Sequence, residues 1–465
     1  MKWSELLCEK RMRESEPRKN SMDLRSEFEK DYHRIIGSAS FRRLQDKTQV
    51  FPLDKSDFIR TRLTHSLEVA SFAKSLGQYV GSKIIDDKLD DEFTVRERNN
   101  ICSILECAGL LHDIGNPPFG HFGETLIREW FSNNMSRISY RGELLENVLN
   151  MQMKQDFLNF EGNTQALRVV TKLHYLVDEH GMNLSKALLG TIIKYPVSSV
   201  EINKSGDNVK NKKMGYFYAD KAEFENIIES IGTNGNRHPL TFLLEAADDI
   251  AYRTADIEDA IKKGCFTYGF LLEQLKLNLR DEDIHYIDRL EVLYERAIKS
   301  GNDEPHVYAV QNWVVYIQGK VIYAAAKCFL DNYDDIMNGN YKHDLFHEND
   351  ATQIMWLLGD IAIKNVFQSE SIFKSEISAS FIINSLLDQF IPAILNYDTD
   401  KELTNLQKRL VKLISQNYKR IYHIYSKDRS ENEKLYLRLL LVTDYVCGMT
   451  DSYAKSLYEE LSGKI

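Results

Sequence analysis

The chain has 465 residues, of which 43% are hydrophobic and 28% charged, with a formal net charge of −10: an ordinary globular profile with room for a large core and, by length, two or three domains. The acidic balance argues against a surface that coats nucleic acid, although a local basic cleft is compatible with it. Six scattered cysteines without a CxxC read as free thiols of a reducing compartment; with no apolar run of membrane-spanning length and an N-terminus ("MKWSELLCEKRMRESEPRKN") too charged for a signal peptide, the sequence points to the cytoplasm and to no membrane partner.

In chain order, residues 1–60 carry a basic opening, a helix, and an extended or looped segment that ends near Pro52. Helices are expected from about Thr64 to residue 85 and from about 96 to 113. The stretch "LLHDIGNPPFGHFGE", residues 110–124, then breaks at Gly115, Pro117, Pro118 and Gly120, and "GETLIREWF" restarts a helix. Residues 200–215 are rich in Lys, Asn and Gly and read as a loop or hairpin tip. A strong helix covers 238–263. Further helices fill 303–465, with "DNYDDIMNGNYKHD" as a loop. Proline is scarce (8 residues) and glycine moderate (23), so the fold class is all-α. No linker cuts the chain cleanly. The expected organisation is an N-terminal segment with a site loop (1–60), a helical catalytic core (61–263) and a C-terminal helical region that packs on the core and takes part in oligomerisation (264–465).

The chemistry concentrates in four places. Ile101, Ile104, Leu105, Ala108, Leu111 and His112 follow one buried helical face, with Asp113 about 100° further round. A buried imidazole beside a carboxylate needs partners; the plain alternative is a satisfied core histidine. "HD" recurs at His343–Asp344, with His347 four residues on, but in a polar Gly/Asn-flanked stretch that reads as a solvated loop. The dipeptide alone is therefore a weak signal. His65 enters an amphipathic helix. Asp248, Tyr252 and Asp256 form one polar line, at i, i+4 and i+8, down a helix that is otherwise apolar nearly all round, which disfavours a merely solvated acidic face. His65, His112, Asp113 and Asp248 make two imidazoles and two carboxylates, a set suited to one Mn²⁺, Fe²⁺ or Mg²⁺ ion rather than a closed structural zinc site. After the break, His121 can stand near that ion without binding it, oriented by Glu124, as a general acid or base.

H…HD…D with "FRRLQDKTQVFPL", "RTRLTHSLEVA", "LLHDIGNPPFGHFGE", "FEGNTQALRVV", "KYP", "GYF", "EAADDIAYRTADIEDA" and "DYVCGMTDSYA" resembles the deoxyguanosine triphosphate triphosphohydrolase (dGTPase) family of the HD-domain phosphohydrolase superfamily. The blocks run in order from about residue 25 to 463. The resemblance implies an HD-domain helical body with an additional C-terminal helical subdomain. It implies hydrolysis of a deoxynucleoside triphosphate, dGTP preferred, to deoxynucleoside plus inorganic triphosphate, with water attacking the α-phosphorus. It makes His65, His112, Asp113 and Asp248 the metal ligands and His121 with Glu124 the catalytic pair. Arg62 reaches the phosphates, Tyr252 and Asp256 hold the deoxyribose, and Gln49 lies near the 3′-hydroxyl. Lys212, Lys213 and Tyr216 fall where relatives contact phosphate or effector; a solvated lysine-rich hairpin is the competing explanation. "FEGNTQALR" has no role derivable from its chemistry, and Arg168 is assigned to a neighbouring subunit or an effector nucleotide.

The resemblance also implies a homo-oligomer, by inheritance a hexamer, and regulation by an effector dNTP or single-stranded DNA. Two alternatives stand beside the main reading. An HD-type nucleotide phosphodiesterase or pyrophosphatase would release a monophosphate. A dNTP-sensing or single-stranded-DNA-binding protein would carry a vestigial site, but every ligand and His121 are present here.

Overall fold

A computed structural model describes residues 1–13, 23–50 and 60–464. The elements that matter for the site are α1 (Glu27–Ile36), α2 (Arg62–Asp86), α3 (Val95–Leu111), α4 (Gly120–Asn134), α5 (Met151–Leu158), α6 (Gly162–Arg168), α7 (Lys186–Ile192), α8 (Pro239–Lys263), α9 (Pro305–Asp331), α10 (Thr352–Asn365), α11 (Glu370–Ile394), α12 (Glu431–Cys447) and α13 (Asp451–Leu461). The fold is all-α. Among the described residues the only strands are a two-residue antiparallel pair, Ser139–Tyr140 with Glu143–Leu144.

Local chemistry sets the helix ends. Thr61 and Thr64 cap α2 reciprocally, each side chain accepting the other's backbone N–H. Thr94 and Glu97 do the same for α3. Helix α8 starts at Pro239, whose missing N–H is no loss at a first helical position, and stops at Gly264 in the left-handed region (φ 68°). Helices α2 and α3 lie close because α3 carries Gly109, where a Cβ would run into the backbone of Ala70.

Two hydrophobic cores result. The first gathers the inner faces of α1, α2, α3, α6, α7, α8, α9 and α10. The second gathers α4 and α5 with α11, α12 and α13. Residues 61–263 thus contribute to both cores, and the break at Gly115–Gly120 is where the chain passes from the first to the second.

Several expectations change. After α1 the chain does not extend; it makes short helical turns at Ala39–Arg42 and Arg43–Asp46. The expected end near Pro52 lies outside the described residues. Residues 200–215 form a loop, as expected, with a tight helical turn at Val209–Asn211. "DNYDDIMNGNYKHD" is not wholly a loop, because Tyr333–Met337 is helical, with Tyr333, Ile336 and Met337 buried in the first core. Helix α11 is long and apolar enough, by length and composition, to cross a membrane, contrary to the sequence expectation. Half of its apolar window is buried inside the protein, and its Asp388 accepts the indole N–H of Trp130 on α4 at 2.7 Å, which seats it as a core helix. All six cysteines are free.

Candidate active site

Four side chains from the first core converge. His65 projects from the first turns of α2, His112 and Asp113 follow directly on α3, and Asp248 sits near the middle of α8. His65 Nε2 lies 3.2 Å from Asp248 Oδ1. His112 Nε2 lies 3.5 Å from the same oxygen and 3.6 Å from Asp113 Oδ2. Donor atoms of His65, His112 and Asp113 all lie within 4.8 Å of one another.

The surroundings set the charge states of His112, Asp113 and Asp248. His112 Nδ1 donates to the carbonyl of Gly109 at 2.7 Å, so the lone pair is on Nε2. That buried nitrogen has no hydrogen-bond partner. Burial pushes the imidazole's basicity down in spite of the two nearby carboxylates, which keeps it neutral. Asp113 accepts from Asn116 Nδ2 at 2.5 Å and from Arg62 at 2.6 Å. Burial opposes its ionisation; Arg62 and the two imidazoles outweigh burial and hold it well below the usual carboxylate range. Burial likewise opposes ionisation of Asp248, and Lys194, 2.9 Å from its second oxygen, outweighs it. Two ionised carboxylates and two histidines, one with an unspent buried lone pair, fit a divalent cation of the kind an HD site holds.

His121 belongs to the second core's first helix. It follows Phe119 and Gly120, both left-handed (φ 62° and 60°). A Cβ on Gly120 would collide with the guanidinium of Arg62. His121 Nδ1 hydrogen-bonds Glu124 Oε2 at 2.9 Å, and Glu124 Oε1 accepts the N–H of Gly162 at 2.6 Å. Glu124 is 2% exposed, whereas the His121 ring is open to solvent. The hydrogen bond and charge of Glu124 raise the His121 pKa above the ordinary histidine value, so its proton is held while Nε2 faces outward.

Comparison with known proteins gives the same segment a family. Residues 62–159 match the model of the HD domain. The chain is 48% identical, over all of both chains, to a deoxyguanosinetriphosphate triphosphohydrolase-like protein of Listeria innocua. It is 32% identical to a like-named protein of Synechocystis, over 100% of this chain and 99% of that one. It is 33% identical to the deoxyguanosinetriphosphate triphosphohydrolase of Klebsiella pneumoniae strain 342, over 93% of each chain. The chain belongs to the deoxyguanosinetriphosphate triphosphohydrolase family.

Against that family assignment, the remaining predicted residues sort by place. Arg62 is 3% exposed, committed to Asp113, and its Nε is unpartnered. Tyr252 and Asp256 lie one and two turns beyond Asp248 on α8. The Tyr252 ring stacks parallel to Phe367 at 6.1 Å. Asp256 is buried with Oδ2 unpartnered, and burial pushes its carboxyl well up. Gln49 Oε1 is likewise buried and unpartnered, beside a bridge from Thr48 to Thr61 at the head of α2. Lys213 pairs with Glu161 at 2.9 Å, one residue before Gly162. Tyr216 is different: it stacks on Phe224 at 4.1 Å within the first core.

The structure also supplies roles that the sequence did not. Lys194 grips Asp248; the signal was a lysine closing the apolar run "LLGTIIK", where a buried ammonium needs a carboxylate. "FEGNTQALR" carries the Gly162 N–H that orients Glu124. Its Arg168 does not reach outward. It is 4% exposed and makes a bidentate pair with Asp444, with a further bond to Asp220 at 3.0 Å, so the assignment to a partner subunit or effector is corrected to an internal clamp between α6 and α12.

Proposed function

We propose that the chain hydrolyses deoxynucleoside triphosphates, dGTP preferred, to deoxynucleoside and inorganic triphosphate. The observation that carries this is the His121–Glu124 pair beside the His65, His112, Asp113 and Asp248 quartet, in a chain alike end to end with proteins named for that reaction. His65, His112, Asp113 and Asp248 would hold one divalent ion, Mn²⁺, Mg²⁺ or Fe²⁺. Bound there, it supplies phosphoryl polarisation and a more acidic water.

The chain's own residues do the rest. Water oxygen bonds to the α-phosphorus and releases a proton to solvent, the bond from phosphorus to the 5′-oxygen breaks, and a proton must reach that oxygen. His121 Nε2–H, kept protonated by Glu124, donates it. Lys194 and Arg62 keep the ligand carboxylates ionised and add positive charge where the triphosphate accumulates negative charge. Lys213, paired with Glu161, adds a cation on the Glu124 side of the site. Tyr252, packed against C2′ of the sugar, leaves no space for a 2′-hydroxyl. The unpartnered oxygens of Asp256 and Gln49 accept from the sugar hydroxyl, since a buried oxygen without a donor is costly. Tyr216, stacked on Phe224, is the residue of this set that the resemblance assigns to phosphate or effector contact. Assembly as a homo-oligomer, by resemblance a hexamer with effector dNTP or single-stranded DNA as regulator, agrees with the outward face of α11, where Phe373, Ile377 and Phe381 are 47%, 58% and 63% exposed.

Product analysis tests the reading. The purified protein with Mn²⁺ and each dNTP should give deoxynucleoside plus triphosphate, with no product from GTP and a rate lower by roughly 10²–10⁴-fold, but still measurable, from His121→Ala. Monophosphate plus pyrophosphate would identify a phosphodiesterase or pyrophosphatase instead. No turnover of any dNTP, alone or mixed, would favour a nucleotide-sensing protein.

A further inference from the structure

Three distant pieces of chain meet beneath the turn that delivers His121: residues 47–49, the break at 116–119, and the junction of α12 with α13. Lys47 is 2% exposed. Its ammonium donates to the carbonyls of Asn116 at 2.5 Å and Cys447 at 2.7 Å. Asp451, 1% exposed, is the first residue of α13, where a helix N-terminus favours a carboxylate. Its Oδ1 accepts the N–H of Phe119 at 2.9 Å. Its Oδ2 accepts the N–H and the hydroxyl of Thr48 at 3.0 and 2.7 Å.

Phe119 is the residue that needs holding. It is bulky, it is not glycine, and it sits at φ 62°, a conformation such residues keep only when their surroundings impose it. Gly120 follows in the same region with Arg62 against it, and His121 comes next. The direction in which His121 leaves the break therefore depends on the Phe119 N–H being fixed. Thr48, on the other side of Asp451, is the neighbour of Gln49, and Lys47 accepts the N–H of Arg62 through its own carbonyl at 2.8 Å. One carboxylate thus ties the His121 side of the site to the Gln49 and Arg62 side.

We propose that Asp451, backed by Lys47, is the positioning residue for His121. Neither residue lies in the HD-matched segment 62–159. Asp451 touches no reacting atom; it sets the turn from which the acid acts. The proposal rests on the reading of His121 given above.

A double-variant cycle tests it, with deoxynucleoside release as the activity and Mn²⁺ binding followed calorimetrically. Asp451→Ala should lower kcat on the order of 10²-fold, the cost of a misplaced catalytic group, while Mn²⁺ affinity stays within about threefold, because the metal ligands belong to the other core. In a His121→Ala background the same change should cost nothing further. Asp451→Asn, nearly isosteric and still able to accept one of the three bonds, should fall between, and it serves for the cycle if Asp451→Ala does not fold. Losses that multiply in the double variant, or Mn²⁺ affinity that falls in step with kcat, would mean a merely structural residue and overturn the proposal. Full turnover by the single His121→Ala variant would remove the reading of His121 and the proposal with it, and that result is visible before the cycle is closed.

Discussion

The chain contains two His-Asp dipeptides, and only one is equipped for chemistry. At His112–Asp113 every side-chain polar atom but one is committed to a partner that leaves it useful: Gly109 takes the Nδ1 proton, Arg62 and Asn116 take the carboxylate, and Nε2 is left bare and buried. At His343–Asp344 the interactions are local. The His343 ring stacks on His347 at 3.9 Å, and Asp344 accepts the N–H of Phe346 two residues on. Among the described residues neither His343 nor Asp344 forms an ion pair, and the carboxylate near enough to feel Asp344, Asp249, is only repelled by it. A motif of two residues is thus an offer of ligands, and the neighbours that withhold competing bonds turn it into a site.

Four experiments bear on this contrast. Replacing His112 by Ala should abolish calorimetric Mn²⁺ binding and lower kcat/KM on the order of 10³-fold or more, several kcal/mol of charge stabilisation at about 1.4 kcal/mol per tenfold; an active variant would erase the distinction between the two dipeptides. Replacing Arg62 by Met strips Asp113 of its cation and should weaken Mn²⁺ by roughly 10–100-fold, the usual cost of losing a ligand's support. Glu124→Gln should leave Mn²⁺ affinity alone but move the alkaline limb of the rate profile to lower pH. The sign follows from the raised pKa of His121: the imidazolium, and with it the acid function, is present below that pKa and lost as pH rises through it, and without Glu124 the loss comes earlier. A limb that does not move would show that His121 does not carry it. His343→Ala should change neither activity nor binding, and stability by no more than about 0.5 kcal/mol, as expected of a surface position.

Much of this could be read in the sequence, for reasons that differ by residue. Capped helices with a strong apolar period announce themselves, and Arg62–Asp86, Val95–Leu111, Gly120–Asn134 and Pro239–Lys263 begin and end within a few residues of expectation. His65, His112 and Asp248 sit on those faces, so periodicity places them. Arg168 was misplaced because an arginine in a short helix carries no mark of which way it points; its partner Asp444 lies 276 residues on. Lys47, Lys194 and Asp451 were passed over for the same reason, since each acts on an atom that is close only in three dimensions. The two aspartates of Tyr333–Met337 and the asparagines flanking it favour turns, whereas Tyr333, Ile336 and Met337 are buried on the first core and the segment is helical.

The bond from Phe119 to Asp451 closes a separation of 332 positions. Closing so long a loop has an entropic cost that grows only slowly with its length, yet it fixes an order of events in a chain made from the N-terminus. His65, His112, Asp113 and Asp248 have all been synthesised once residue 248 has emerged, about two hundred residues before Asp451. On the reading proposed above, a nascent chain thus carries all four proposed ion ligands well before the residue proposed to aim His121 has been made.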